Sequence, residues 1–350
     1  MEVRRNMRIA EILLDSFPSP MWYLLKQLGV DEVVGTLPGI HSDWRSESSD
    51  IPWGYAPLSD YKNRLSEHGL KLVAIEDNPP MDNIRYGTPG KEEEMENILK
   101  LIENMGRLGI DTWCYNWMAG AGWYRSKSGV RTRGGAITTA FDYGAVREYP
   151  LPKSGRIERT DLWRNLENFL KTVIPVAEEY EVRIAMHPDD PPIESIRGIP
   201  RIMNSISSYD RLMKIVPSVS NAITLCQGNF TLMTDDLPTV IRHFKDNIAF
   251  VHFRDVEGNP YNFTETFIDQ GKTDMVKCIE AYVDIDYNGI VRTDHTPTLH
   301  GDSADVPGYS TLGRLHAVGY LQGLYDAVSR FKTNKQPTLG VLGNRPMEEK

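Results

Sequence analysis

The sequence predicts an α/β protein, a (β/α)8 TIM barrel with a long insertion after the fourth strand. Three observations predict it. Eight short apolar runs rich in β-branched residues recur along the chain. An amphipathic segment of helical period follows most of them. Alternation of this kind implies parallel βαβ units, and eight units favour a closed barrel over an open doubly wound sheet.

The strands fall at Arg8–Leu13, Glu32–Thr36, Leu70–Ile75, Thr112–Tyr115, Arg183–Met186, Ala222–Leu225, Ile248–Phe253 and Gly289–Thr293. The first is the weakest, since Ile9–Leu14 fits a helix start as readily. The helices fall at Met21–Leu28, Leu58–His68, Lys91–Leu108, Arg159–Glu179, Ser207–Ile215, Leu237–Lys245, Asp274–Tyr282 and Gly313–Ser329. One barrel domain is expected over residues 1–335, with a polar tail over 336–350. That tail is either an arm across a partner subunit or a frayed end.

The gap between the fourth and fifth strands is too long for one helix. Residues Ala119 to Gly155 hold the excess and are rich in glycine, arginine and aromatics. The run Ala136–Phe141 can form a small hairpin. A long βα loop on a barrel lies at the C-terminal face of the strands, where active sites sit, so a lid is expected. A surface excursion or an oligomer contact is the alternative.

Composition excludes several classes. A net charge of −9 argues against a general affinity for nucleic acid. Three scattered cysteines make no disulfide framework and point to a reducing compartment. The charged Met1–Asn6 segment lacks a signal peptide's apolar stretch, and no apolar run approaches the ~20 residues that span a bilayer. A cytoplasmic protein without nucleic-acid or membrane partners is expected. No dinucleotide fingerprint, P-loop or Gly-x-Ser-x-Gly is present.

Barrel enzymes carry function at the C-terminal ends of strands. The fifth strand runs into His187, the sixth into Cys226, the seventh ends near His252, and Asp294 with His295 follows the eighth. Imidazole, thiolate, imidazole and carboxylate thus reach one rim, where they can converge on a divalent ion. Taken singly, each has a plainer reading. Cys226 can be a small buried apolar residue, His252 a hydrogen-bonded core residue, Asp294 a helix cap and His187 a turn residue.

Other rim positions can contact substrate. Glu76 and Asn116, after the third and fourth strands, can bond hydroxyl groups, and Glu76 can also approach the metal. Arg254 and Arg314 can pair with a carboxylate, or with Asp255 or the Asp189-Asp190 pair. Tyr309 can carry a proton or merely pack. His41 and His300 can border the pocket.

The motifs His187-Pro188-Asp189-Asp190-Pro191-Pro192, Cys226-Gln227-Gly228, Phe250-Val251-His252-Phe253-Arg254, Gly271-Lys272-Thr273-Asp274-Met275, Asp294-His295 and Pro307-Gly308-Tyr309-Ser310 occur in this order. With them the chain resembles the D-mannonate dehydratases, metal-dependent barrel enzymes of hexuronate breakdown in the xylose-isomerase-like group. The resemblance is dense over residues 180–320. It implies metal ligation by His187, Cys226, His252 and Asp294, and acid–base roles for His295 and Tyr309. It implies Mn2+, whereas donor chemistry alone suits Fe2+, Co2+ or Zn2+ as well. It implies dehydration of D-mannonate to 2-keto-3-deoxy-D-gluconate, a small sugar-acid substrate and a homo-oligomer. A sugar or sugar-acid isomerase or epimerase on the same barrel is the alternative.

Three departures from the family pattern stand out. Asn229 replaces the serine after Cys-x-Gly, and Thr296 replaces the glycine after Asp-His. His41 sits in a shifted context where the family has a His-His pair. These departures suggest intact ligands beside an altered pocket wall.

Overall fold

The computed structural model describes residues 6–39, 51–303 and 306–335. His41 and the 336–350 tail lie outside them. Eight parallel strands close into a barrel: Arg8–Leu13, Glu32–Gly35, Lys71–Glu76, Thr112–Asn116, Arg183–His187, Asn221–Cys226, Ile248–Phe253 and Ile290–Thr293. Arg8–Leu13 is a strand and not a helix start. It pairs with the eighth strand on one side (Ala10 with Arg292) and the second on the other (Ala10 with Glu32).

Two apolar layers hold the barrel. Outward-facing Leu72, Trp113, Ile184, Ile223, Val251 and Val291 pack under the helices. Inside, alanines dominate: Ala10, Ala74, Ala185, Ala222 and Ala249 leave room for Phe250 and Ile290. Among the described residues, no helix is long and apolar enough to cross a membrane.

The insertion is built on two strands. Lys127–Arg131 pairs antiparallel with Ile137–Asp142 across a turn that holds Gly134 and Gly135 at φ 64° and 85°. Only glycine adopts that left-handed pair without strain. The run singled out in the sequence is thus one arm of the hairpin. A second hairpin, Val256–Asn259 with Asn262–Glu265, follows the seventh barrel strand and extends the same sheet to four strands. Backbone bonds between Ile137 and Thr298 (3.0 and 2.8 Å) tie the sheet to the loop after the eighth strand.

Glu11 closes the barrel seam. It is fully buried and accepts from the Thr293 hydroxyl and from Arg314 Nε at 2.9 Å. Arg314, on the last helix, also donates to the Ile12 carbonyl. Its guanidinium is therefore committed to the fold, which corrects the expectation that it meets substrate. Arg314→Met leaves Glu11 buried without its cation, and such a loss costs about 3–5 kcal/mol. Denaturant titration should show that loss with KM unchanged. Retained stability with a raised KM would instead return Arg314 to the substrate.

Candidate active site

Alternation across a strand decides which side chains face the barrel axis. In the fifth strand Ile184 and Met186 lie in the outer layer, which turns Ala185 and His187 inward. Ile223 and Leu225 likewise turn Thr224 and Cys226 inward, and Val251 and Phe253 turn Phe250 and His252 inward. Asp294 continues the parity of Ile290 and Arg292 one step past the eighth strand. Four strands deliver four donor side chains to one mouth for this reason.

One ligand atom each from His187, Cys226 and His252 lie within 4.8 Å of one another. Asp294 adjoins them, its Oδ2 being 3.7 Å from His252 Nδ1 and 4.0 Å from Cys226 Sγ. His187 Nδ1 bonds the Pro188 carbonyl at 2.7 Å, which leaves Nε2 as the lone-pair atom. His252 is 1% exposed, and its ring nitrogens meet only Glu76 Oε2 at 3.3 Å and Asp294 Oδ2 at 3.7 Å, neither of them a formed hydrogen bond. Buried polar atoms are ordinarily satisfied, so this ring is short of a ligand. The donor set and the orphaned imidazole both fit a divalent metal. Glu76, Cys114 and His252 form a second such group. Its donors are already engaged: Glu76 by Arg292, and Cys114 Sγ by the Thr224 hydroxyl at 3.2 Å.

A cavity of about 420 Å3 opens over these groups, lined also by Glu76, Asn116, Trp123, Arg292, His295 and Tyr309. Tyr309 donates to Asp294 Oδ1 at 2.9 Å, and His295 Nε2 lies 3.7 Å from the same oxygen. Burial and then the Asp294 charge push the Tyr309 phenol well above its ordinary value, so it keeps its proton. Gly308, at φ 90°, lets its loop lie against His295: a Cβ there would sit 3.3 Å from the His295 Cα.

Three carboxylates at this mouth, Glu76, Glu265 and Asp190, are matched by cations. Burial pushes the Glu76 carboxyl up, but Arg292 and then His252 outweigh it and hold it at about 2. Burial of Glu265 is likewise outweighed by Arg254 and Arg125, which hold it at about 2. Asp190 is held low by Arg125 and Arg254 against the same burial. Sequence alone offered Asp190 as a partner of Arg254 but did not single out Arg125, Glu265 or Arg292. For Arg292 a signal existed, a charge at inward parity inside a barrel strand.

Of the predicted substrate contacts, Glu76 and Asn116 line the cavity while Arg254 and Arg314 do not. Arg254 is fully buried, donating to Glu265 (2.8 and 2.7 Å), Asp190 (3.0 Å) and Cys226 Sγ (3.3 Å). Its carboxylate partners are internal, so it is not free for a substrate carboxylate. Asn116 Oδ1 accepts from Arg85 and Met118 N, both at 3.2 Å. His300 is exposed and outside the cavity.

The sequence profile of D-mannonate dehydratase (UxuA) matches residues 22–154 and 146–335. The mannonate dehydratase of Oceanobacillus iheyensis is 32% identical over 310 residues, covering 80% of this chain and 88% of that protein. That of Enterococcus faecalis is 31% identical, covering 91% and 96%. The crystal structure of mannonate dehydratase from Streptococcus suis serotype 2 superposes with a TM-score of 0.82 at 28% identity, covering 93% and 96%. An L-ribulose 3-epimerase structure, at 14% identity and TM-score 0.60 over 95% of this chain and 99% of its own, shares the fold.

The chain belongs to the D-mannonate dehydratase family.

Two of its departures from the family pattern now have an address. Asn229 and Thr296 are buried, and neither lines the cavity. Asn229 Oδ1 accepts from Cys226 Sγ at 3.1 Å, and its Nδ2 donates to the Asp189 carbonyl at 2.9 Å. Thr296 N donates to the Gly308 carbonyl at 2.9 Å, behind Tyr309. The substitutions back the site and do not alter its wall, contrary to the expectation from sequence.

The paired carboxylates fix the acid limit of stability. Glu76 and Glu265 have folded-state values depressed from 4.5 to about 2. A depressed carboxyl contributes stability above its unfolded value and loses it as pH falls through the folded one. Denaturant midpoints at stepped pH should therefore drop steadily between pH 4.5 and 2. A flat profile over that window would show these pairs to be worth nothing.

Proposed function

We propose that this chain is a metal-dependent hydro-lyase that converts D-mannonate to 2-keto-3-deoxy-D-gluconate and water, with Mn2+ as the expected ion. The observation that carries the reading is the convergence of His187, Cys226 and His252 within 4.8 Å, beside Asp294 and its hydrogen-bonded Tyr309. Those four residues would hold the metal. Once bound, the ion supplies Lewis-acid stabilisation of the negative charge that develops beside the substrate carboxylate.

The chain's own residues handle the protons. The C2 proton of an aldonate is very weakly acidic, so its removal needs a placed base. His295, on the cavity wall, takes that proton. Tyr309 retains its own proton and donates it to the C3 hydroxyl, which leaves as water. The C2–H bond and the C3–O bond break, and the resulting enol ketonises to the 2-keto acid. Glu76 and Asn116 offer polar groups to the substrate hydroxyls, with Glu76 held rigid by Arg292. Trp123 lines the cavity edge-on against the His295 ring.

Assay with Mn2+ against C5 and C6 aldonates should yield a 2-keto-3-deoxy acid from D-mannonate. Formation of an isomeric sugar acid without water loss would assign an epimerase or isomerase instead. His295→Asn should keep its metal by elemental analysis while turnover falls about 10^2- to 10^4-fold. Near-normal dehydration by that variant would remove His295 from the chemistry. Chelation should abolish turnover reversibly, and Cys226→Ser should lower the bound metal per chain. Full activity in a demetallated protein would overturn the metal reading.

A further inference from the structure

Glu265 ends the second hairpin, on a loop that leaves the seventh barrel strand. It is 1% exposed and is gripped by two arginines. Arg254 reaches both its oxygens at 2.8 and 2.7 Å, and Arg125 reaches Oε1 at 3.0 and 2.5 Å. The same two arginines hold Asp190, Arg125 at 2.6 and 3.0 Å and Arg254 at 3.0 Å. Two cations and two anions thus form a closed, neutral ring with no carboxylate free to swing.

Besides the Arg254 bonds to Cys226 and Asn229, the ring makes a contact toward the cavity. Glu265 Oε1 lies 3.3 Å from His295 Nδ1. That nitrogen is buried and has no hydrogen-bond partner. The opposite nitrogen, Nε2, faces the Asp294 oxygen that holds the Tyr309 hydroxyl. His295 itself has φ 43°, a left-handed value that a side chain other than glycine's keeps only where its surroundings impose it. The surroundings are Trp123 at 5.3 Å and Tyr309 at 5.5 Å between ring centroids, Gly308 beneath, and Glu265 behind.

We infer that Glu265 is a positioning residue for His295, holding the imidazole so that Nδ1 carries the proton behind and Nε2 presents its lone pair to the reacting carbons. A carboxylate at one ring nitrogen fixes both the tautomer and the angle of the ring. The ring of charges explains how a loop carboxylate can be rigid enough for this: Arg125 belongs to the insertion, Asp190 follows the fifth strand, and Arg254 follows the seventh. Both hairpins must be in place for His295 to be aimed. The inference rests on the proton-transfer role given to His295 above.

Glu265→Gln and Glu265→Asp test it in the metal-loaded enzyme. Glutamine removes the anion. Aspartate keeps the charge for the arginines but draws the carboxylate back from the imidazole. Each should lower kcat, by about 100-fold for glutamine, while KM for D-mannonate and metal content stay within twofold. In a His295→Asn background the same changes should have no further effect on turnover, because residues acting as one unit are not additive. A full additional loss in that background, a change confined to KM, or unchanged kcat in Glu265→Asp would each overturn the inference. So would failure of both variants to fold, which would make Glu265 a structural residue. If His295→Asn alone kept its activity, the assignment of His295 would fail instead, and the two results are distinguishable.

Discussion

A carboxylate taken out of water costs several kcal/mol unless a cation meets it, and five acidic side chains of this barrel, four of them buried, are met in this way. Glu11, Glu76, Asp190, Glu265 and Asp294 are each met by an arginine: Arg314, Arg292, Arg125 or Arg254. The requirement reaches beyond stability. Arginines engaged in this way cannot also take a substrate carboxylate, so anion binding falls to the groups left unengaged. Foremost is His252, whose ring nitrogens have no hydrogen-bond partner; it sits beside His187 and beside Cys226, whose sulfur Arg254 reaches at 3.3 Å. Charge pairing in the wall is what leaves a metal-sized demand at the floor.

The same pairing explains why two unrelated loops make one sheet. The 119–155 insertion and the loop after the seventh strand would each be a marginal two-stranded hairpin alone. Pairing Ile137–Asp142 with Asn262–Glu265 supplies backbone bonds, and Phe141 against Phe263 supplies packing (5.8 Å between centroids). Arg125 then joins the base of the insertion to both Asp190 and Glu265. A freely opening lid would have to break those buried ion pairs at each turnover. The ion pairs fix the root of the insertion, and Trp123 beside it is 43% exposed although it lines the cavity.

The barrel was legible because parallel strands buried on both faces write near-continuous apolar runs, and the eight runs end within a residue or two of the strands. The convergence of His187, Cys226, His252 and Asp294 was legible for a related reason, since strand ends are where a barrel displays chemistry. The second hairpin was not. Val256–Asn259 and Asn262–Glu265 are short, polar and held by partners far away in sequence, so no local period marks them. Arg254 and Arg314 were misread because a guanidinium suits an internal carboxylate and a substrate one equally well. Only the position of Glu265 and Glu11 decides between them. Arg292 and Glu11 were legible in principle, as charges inside otherwise apolar strands.

The residues that differ from the family pattern sharpen this point. Asn229 stands where a serine is usual, yet its longer amide reaches the sulfur of Cys226, the Arg254 guanidinium and the Asp189 carbonyl together. A serine hydroxyl, with one proton and a shorter reach, could not bridge all three. Asn229 therefore couples the Cys226 sulfur directly to the charge ring that also holds Glu265. Thr296 acts similarly on the other side, where its backbone and hydroxyl meet the Gly308 carbonyl and brace the turn that presents Tyr309. Both changes act on how firmly Cys226 and the Tyr309 turn are held. Neither changes the surface a sugar acid would touch, so divergence in sequence at these positions need not mean divergence in substrate.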